Sequence, residues 1–279
     1  MTRIITSKTA VRAKRIIGAS IRQVYPSYFR YLIDKGAAGP DYTWWSSCVE
    51  EYIRHLATVR PVTLEALHKD RWRRATDTAI VAAGGADLTR YRREYLPVFN
   101  RVYRECEEFI RHCSPSHICE IGTGDGYLLA KLSKSFPEID LTGIDISEHR
   151  VRLAQRRVPG LHFQLRSGQD WVEQDASENG CVIVNGGVFE YFSPESLRKL
   201  FSSIRARFDR FYIAIMLEPL YFEIDALPSS EGVAGGSEFS WSHNYAAVLE
   251  EEGFLVQSVR IDDFSDLYGF KTATVYAKL

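Results

Sequence analysis

The sequence predicts an α/β protein: a doubly wound, mostly parallel seven-stranded sheet with one antiparallel strand, plus an N-terminal helical extension. Three observations lead there. From His117 onward, short apolar runs with strand character alternate with stretches of helical spacing, which implies a sheet covered on both faces. The first run enters a glycine-rich turn, His117-Ile118-Cys119-Glu120-Ile121-Gly122-Thr123-Gly124-Asp125-Gly126-Tyr127-Leu128-Leu129, the build of a nucleotide-type pocket in such a sheet. The last two runs flank Asp262 to Gly269 with no helical pattern between them. They read as a hairpin-like pair, which places one strand antiparallel.

Taken in order, residues 1–35 carry Val11, Ile16, Ile17, Ile21, Val24, Tyr25, Tyr28, Phe29, Leu32 and Ile33 at helical spacing, interrupted by Pro26. Lys8, Arg12, Lys14, Arg15 and Arg22 decorate this stretch. It reads as a domain-packing or homodimer helix ahead of a membrane-surface one. Gly36 to Pro40 marks a turn, and Trp44 to Thr58 a helix. Pro61 breaks the chain, and Thr63 is expected to cap the next helix with Leu64, Leu67 and Trp72. Gly84-Gly85 separates that helix from one capped by Asp87 and running from Leu88 to about Cys113. Strands are expected at 117–122, 140–145, 161–166, 180–185, 210–217, 255–261 and 272–278, and helices at about 126–135, 147–157, 194–206 and 244–252. The expected units are thus residues 1–112, helical, and residues 113–279, α/β.

At 279 residues, 45% hydrophobic and 25% charged, the chain is an ordinary globular one. Its net charge of −1 hides an asymmetry of +7 over residues 1–110 against −8 over 111–279. Two mutually attracting units would account for that, as would an anionic substrate or surface under the basic half. Five cysteines without a CxxC pair suggest a reducing cytoplasm and no disulfide framework. Cys106, His112, Cys113, His117 and Cys119 match no common zinc spacing, so no metal is assigned. No signal peptide is read at the basic N-terminus, and no apolar run is long enough to span a membrane.

The glycine turn discriminates among ligands. A phosphate loop needs Gly-Lys-Ser/Thr, and the first lysine after the turn is Lys131. A dinucleotide turn wants a small third residue where this chain has Tyr127. What remains is acidic-x-Gly-x-Gly-x-Gly, on Glu120, Gly122, Gly124 and Gly126. This resembles motif I of the class I S-adenosylmethionine-dependent methyltransferases, over about residues 117–279.

The resemblance implies S-adenosyl-L-methionine as cofactor. It places Asp145, at the end of the second strand, on the ribose hydroxyls and Ile146 against the adenine; by the residues alone Asp145 also suits a helix cap. It implies that Gln169 or Asp170 reaches the adenine amino group, with Gln169 preferred. Trp171 is expected either over the base or in the core. Glu120, Gly122, Asn185 and Gly186 would lie near the methionine moiety, and Thr123, Gly124 and Gly126 would also contact the cofactor. Phe189-Glu190-Tyr191 matches a Leu-Glu-His/Tyr triplet of the family.

Candidates for chemistry lie at the carboxyl ends of the strands: Glu190, Tyr191, Glu218, Tyr221, His243 and Tyr245. His243 is the expected general base, with Glu190 and Tyr191 beside it; its rival role is packing or capping before the helix at 244. The segment Leu217 to Ser242, with a Gly/Ser-rich middle from Ser229 to Ser240, reads as a substrate lid. Asn185-Gly186-Gly187-Val188 lacks the Pro-Pro of nucleic-acid amino-methylating enzymes. The aromatic helical extension is similar to the caps of many natural-product or sugar methyltransferases, which implies a small-molecule acceptor methylated at oxygen or nitrogen. The alternatives are an RNA or protein methyltransferase using Arg71, Arg73, Arg74, Arg90, Arg92 and Arg93 as a phosphate-binding face, or a non-catalytic scaffold.

Overall fold

A computed structural model describes residues 8–35, 43–74, 88–223, 232–234, 240–265 and 270–279. The turn at Gly36–Pro40, the Gly84-Gly85 break, the Asp87 cap and most of the Gly/Ser-rich 229–240 stretch lie outside them.

The first four helices are α1 (Lys8–Val24), α2 (Pro26–Lys35), α3 (Trp44–Val59) and α4 (Pro61–Arg74). Pro26 opens α2, where its missing N–H costs nothing. Thr43 caps α3 in a reciprocal box with Ser46. Thr63 does not cap α4: the helix begins at Pro61, and the Thr63 N–H already donates to the Arg60 carbonyl. Ile21, Phe29, Leu32, Val49, Ile53, Leu56 and Leu64 form a helical core. Trp241, from far down the chain, completes it.

Helix α5 (Leu88–Cys113) buries Val102, Cys106, Ile110 and Cys113 against the sheet rather than in that helical core. It packs as part of the α/β layer.

The sheet contains β1 (His117–Ile121), β2 (Asp140–Asp145), β3 (His162–Leu165), β4 (Gly180–Asn185), β5 (Phe211–Leu220), β8 (Leu255–Asp263) and β9 (Lys271–Lys278). A two-stranded ribbon, β6 (Val233–Ala234) with β7 (Trp241–Ser242), lies apart from it. The order is β3-β2-β1-β4-β5-β9-β8. Six strands run parallel, and β9 runs antiparallel to both its neighbours. Helices α6 (Tyr127–Ser135), α7 (Glu148–Arg157), α8 (Gly168–Gln174), α9 (Pro194–Arg207) and α10 (Tyr245–Glu251) cover it. Buried apolar clusters on both faces explain the near-continuous apolar runs of β4 and β5.

Two departures from expectation matter for the site. Strand β5 continues to Leu220 through a register shift between Ile215 and Glu218, where Leu217 takes a positive φ of 53°. Such a bulge re-aims the residues that follow it. Helix α8, not anticipated, has Ser167 as its cap and carries Trp171 fully into the core against His117. Trp171 is thus a core aromatic rather than a lid on a base.

Candidate active site

The polypeptide leaves β1 through Gly122, Gly124 and Gly126, all at positive φ (73°, 58° and 78°). At Gly122 the requirement is double. A Cβ there would stand 2.6 Å from Val188 of the β4 loop, so glycine supplies both the backbone angle and the clearance. Asp145 fastens the turn to β2, accepting the Gly124 N–H at 3.2 Å and the Ser147 N–H at 2.8 Å. Ser147, not Asp145, caps α7. Burial raises the Asp145 pKa against these N–H donors.

Glu120 is buried and accepts the Thr123 hydroxyl at 2.7 Å. Burial pushes its pKa up to about 8, with the Thr123 bond pulling the other way. An acid held partly neutral at pH 7 becomes an anion when a cationic group arrives beside it.

At the end of β4, Asn185 presents a buried Oδ1 with no hydrogen-bond partner. The loop beyond it is held from beneath by Glu218. That carboxylate, fully buried, accepts the N–H groups of Gly187 (3.2 Å), Val188 (2.8 Å) and Glu190 (3.1 Å) and the Tyr245 hydroxyl (3.3 Å). Burial raises its pKa to about 7 and the donors oppose it. Glu218 thus shapes the loop, and the β5 bulge is what turns it there.

These elements open on one cavity of about 960 Å³. One end is lined by Glu120, Gly122 to Asp125, Asp145, Ile146, Arg150 and Gln169. Gln169 gives its Nε2 to Glu173 (2.6 Å) and Ser203 (3.1 Å), which leaves Oε1 as an acceptor. The other end is lined by Lys69 and Trp72 of α4, Phe99 of α5, Tyr191, Phe192, Pro219, Phe270 and Thr272. Tyr191 packs against His68 (5.2 Å between ring centroids) and Trp72 (5.3 Å).

Nine of the ten residues expected at the cofactor line this cavity, Glu120, Gly122, Thr123, Gly124, Asp145, Ile146, Gln169, Asn185 and Gly186; Gly126 is not in the lining and closes the turn behind them. Of the three expected to carry chemistry, Tyr191 alone is in the lining. Glu190 is buried under the loop, its Oε1 2.7 Å from where a Cβ on Gly187 would be, and takes the Tyr221 hydroxyl at 3.1 Å. His243 is 1% exposed, and its Nε2 lies 3.1 Å from the Phe192 carbonyl. Burial lowers its pKa to about 4, so the ring is neutral at pH 7 and its proton sits on Nε2 facing that carbonyl. Its unpartnered Nδ1 faces Gly232, and Asn244 is the cap of α10.

Sequence reasoning missed the α4 stripe. Glu65, His68, Lys69 and Trp72 recur at helical spacing and share one face, a polar line interrupting an otherwise amphipathic helix. That spacing is the signal that would have found them. Glu65 is buried and accepts Lys69 Nζ (2.6 Å), the Ser193 N–H (2.9 Å) and the Ser193 hydroxyl (2.6 Å), which ties α4 to the start of α9. Burial raises the Glu65 pKa, but Lys69 and the Ser193 donors outweigh it and the net shift is downward. The basic face proposed for nucleic acid is partly spent: Arg71 lies over Trp72 and Arg74 pairs with Asp70, while the side chains of Arg90, Arg92 and Arg93 are outside the described set.

Residues 118–208 match the sequence profile of a family described as a methyltransferase domain. Over that segment the chain is similar to methyltransferase domains. It is 36% identical over 62 residues to a trans-aconitate 2-methyltransferase of Acidovorax sp. (strain JS42), 22% of this chain and 24% of that protein. It is 30% identical over 90 residues to a malonyl-[acyl-carrier protein] O-methyltransferase of Priestia megaterium (strain DSM 319 / IMG 1521), 32% of each. The chain thus matches about a quarter to a third of these relatives' lengths. The plantazolicin methyltransferase, solved in complex with SAH, superimposes with a TM-score of 0.51 at 17% identity, covering 82% of this chain and 98% of that one, a likeness of fold. Among the described residues no group of three or more His, Cys, Asp or Glu is placed to hold a metal ion. Nor is any helix among them long and apolar enough to cross a membrane.

Proposed function

We propose that the protein transfers a methyl group from S-adenosyl-L-methionine to an oxygen or nitrogen of a small-molecule acceptor. The observation that carries this reading is the two-ended cavity. Its polar end suits a nucleoside with an amino-acid tail, and its aromatic end leaves room beside it. At about 960 Å³ it lies at the upper limit of ordinary ligand pockets, which run to about 1,000 Å³.

The residues fit the cofactor on their own chemistry. Asp145 offers a carboxylate to the ribose hydroxyls and the Gln169 Oε1 an acceptor to the adenine amino group. Ile146 offers an apolar edge to the ring. The unsatisfied Asn185 Oδ1 costs free energy until a donor meets it, and Glu120 gains its charge beside an ammonium. The cofactor, when bound, supplies an electrophilic methyl on sulfur; the chain aligns the acceptor and excludes water. Tyr191 is the residue of the expected set placed to touch the acceptor. Glu190 and His243 act through the loop that carries it.

Titration of the purified protein with S-adenosylmethionine in a calorimeter tests the reading. Saturable one-to-one binding is expected; absence of heat at millimolar cofactor would remove it.

A further inference from the structure

We propose that the acceptor is an apolar or aromatic molecule bearing a carboxylate, and that Lys69 is the residue that selects it. This rests on the methyltransferase reading above and deepens it.

The two ends of the cavity differ in charge as well as shape. Every carboxylate in the described lining, Glu120, Asp125 and Asp145, belongs to the glycine-turn end. At the aromatic end the described lining holds one charged group, the Lys69 ammonium, among Trp72, Phe99, Tyr191, Phe192 and Phe270. Among the described residues nothing there offers an acid to a cationic acceptor, and an amine would meet the like charge of Lys69.

Lys69 is mounted for this work. Its ammonium is held by Glu65 at 2.6 Å and lies 5.9 Å from the centroid of the Phe192 ring. Glu65 is almost fully buried, while the Lys69 side chain is 38% exposed. Both Glu65 oxygens are engaged, one by Lys69 and the other by the two donors of Ser193. The pair therefore presents ammonium, not carboxylate, to the cavity. An ammonium has three donors and Glu65 occupies one, so two remain for a ligand. The Thr272 hydroxyl, buried in the same wall with no partner, supplies one more polar contact.

The same lining bears on proton transfer. Its described aromatic end holds neither imidazole nor carboxylate. A neutral hydroxyl acceptor needs a base. A carboxylate does not: its oxygen lone pair forms the new C–O bond while the electron pair of the S–CH₃ bond returns to sulfur. The products are a neutral methyl ester and the neutral thioether, with no proton to remove. Lys69 holds the anion without protonating it.

The test uses the full chain saturated with S-adenosylhomocysteine, whose own binding is measured first. Three probes of one shape are then titrated calorimetrically: naphthalene-2-carboxylate, naphthalene-2-carboxamide and 2-naphthylmethylamine. The carboxylate is expected to bind about ten-fold or more tightly than the other two, the scale of one charge-assisted hydrogen bond. Lys69→Met should bring the carboxylate to within about three-fold of the amide, and Lys69→Arg should keep the preference. The double variant Lys69→Met/Glu65→Gln, which leaves no unpaired buried acid, should repeat the Lys69→Met result if the single variant folds poorly. Equal or tighter binding of the amine or amide, no saturable binding of the carboxylate, or a preference that survives Lys69→Met would each overturn the proposal while leaving the methyltransferase reading intact. If S-adenosylhomocysteine itself does not bind, both fall.

Discussion

The two ends of the cavity are made by different means. The glycine end is built from backbone: three positive-φ glycines within five residues, fastened by one carboxylate from the next strand. The aromatic end is built from side chains of segments as far apart as Lys69, Phe99, Tyr191 and Phe270. A surface made of backbone tolerates little change, because every substitution alters chain geometry. One made of side chains on separate supports can be redrawn residue by residue.

The largest expected effect sets backbone against open space. Gly122→Ala combines a left-handed backbone angle, about 1–3 kcal/mol, with a clash against Val188, about 1–3 kcal/mol more. Cofactor affinity should fall by about a hundred-fold or more. Gly186→Ala has the same sign of φ, 74°, but its Cβ meets nothing within 4 Å, so a calorimetric loss of about ten-fold or less is expected there. Equal losses would mean that clearance at Val188 does not matter.

Next comes Asp145→Ala, which removes a charged acceptor worth about 1.5–3 kcal/mol. The dissociation constant for S-adenosylmethionine should rise by about ten- to a hundred-fold; an unchanged value would refute the ribose assignment.

His243→Ala probes the region behind the loop. With its Nε2 on the Phe192 carbonyl and no surface in the cavity, it should cost about 1–2 kcal/mol in urea unfolding and leave cofactor affinity within two-fold, roughly 0.4 kcal/mol. Turnover lost by a hundred-fold in a variant of unchanged stability would restore His243 as the base.

The smallest effect is set by pH. Glu120 and Glu218 have folded pKa values of about 8 and about 7, raised by burial above their unfolded values. Between pH 7 and 8 the folded state holds protons that the unfolded state has lost, so stability falls as pH rises. His243, lowered to about 4, changes below this window. A loss of about 1 kcal/mol, or a melting temperature lower by about 2–4 °C, is expected. Glu218→Gln should remove part of the slope, and a stability that rises over this interval would contradict it.

The sheet and the cofactor end were legible because their signals are local. Alternating periods mark the strands, and Glu120 to Gly126 with Asp145 lie within 26 residues. The aromatic end was not, since nothing near Lys69 in sequence announces Tyr191 or Phe270. Glu218 was read as a candidate for chemistry because it sits at a strand end. Its real neighbours, the Gly187 to Glu190 amides, depend on a bulge at Leu217 that no pattern marks. His243 differs for a related reason: its place beside a loop suggests a base, while packing turns its Nε2 toward the Phe192 carbonyl.

Trp241 has a consequence for how the chain comes together. Helices α1 to α4 are the earliest part of this sequence to be synthesised, yet the indole that fills their core is contributed more than 160 residues after α4 ends. That core cannot be complete until Trp241 has been made, after β1 to β5 and before β8 and β9. The segment that would otherwise emerge as an independent bundle thus takes its last core side chain from the far part of the chain. Trp241→Ala in the full chain should show this as α1–α4 cut by trypsin while the sheet resists, and equal resistance of the two parts would show that the helices close without the indole.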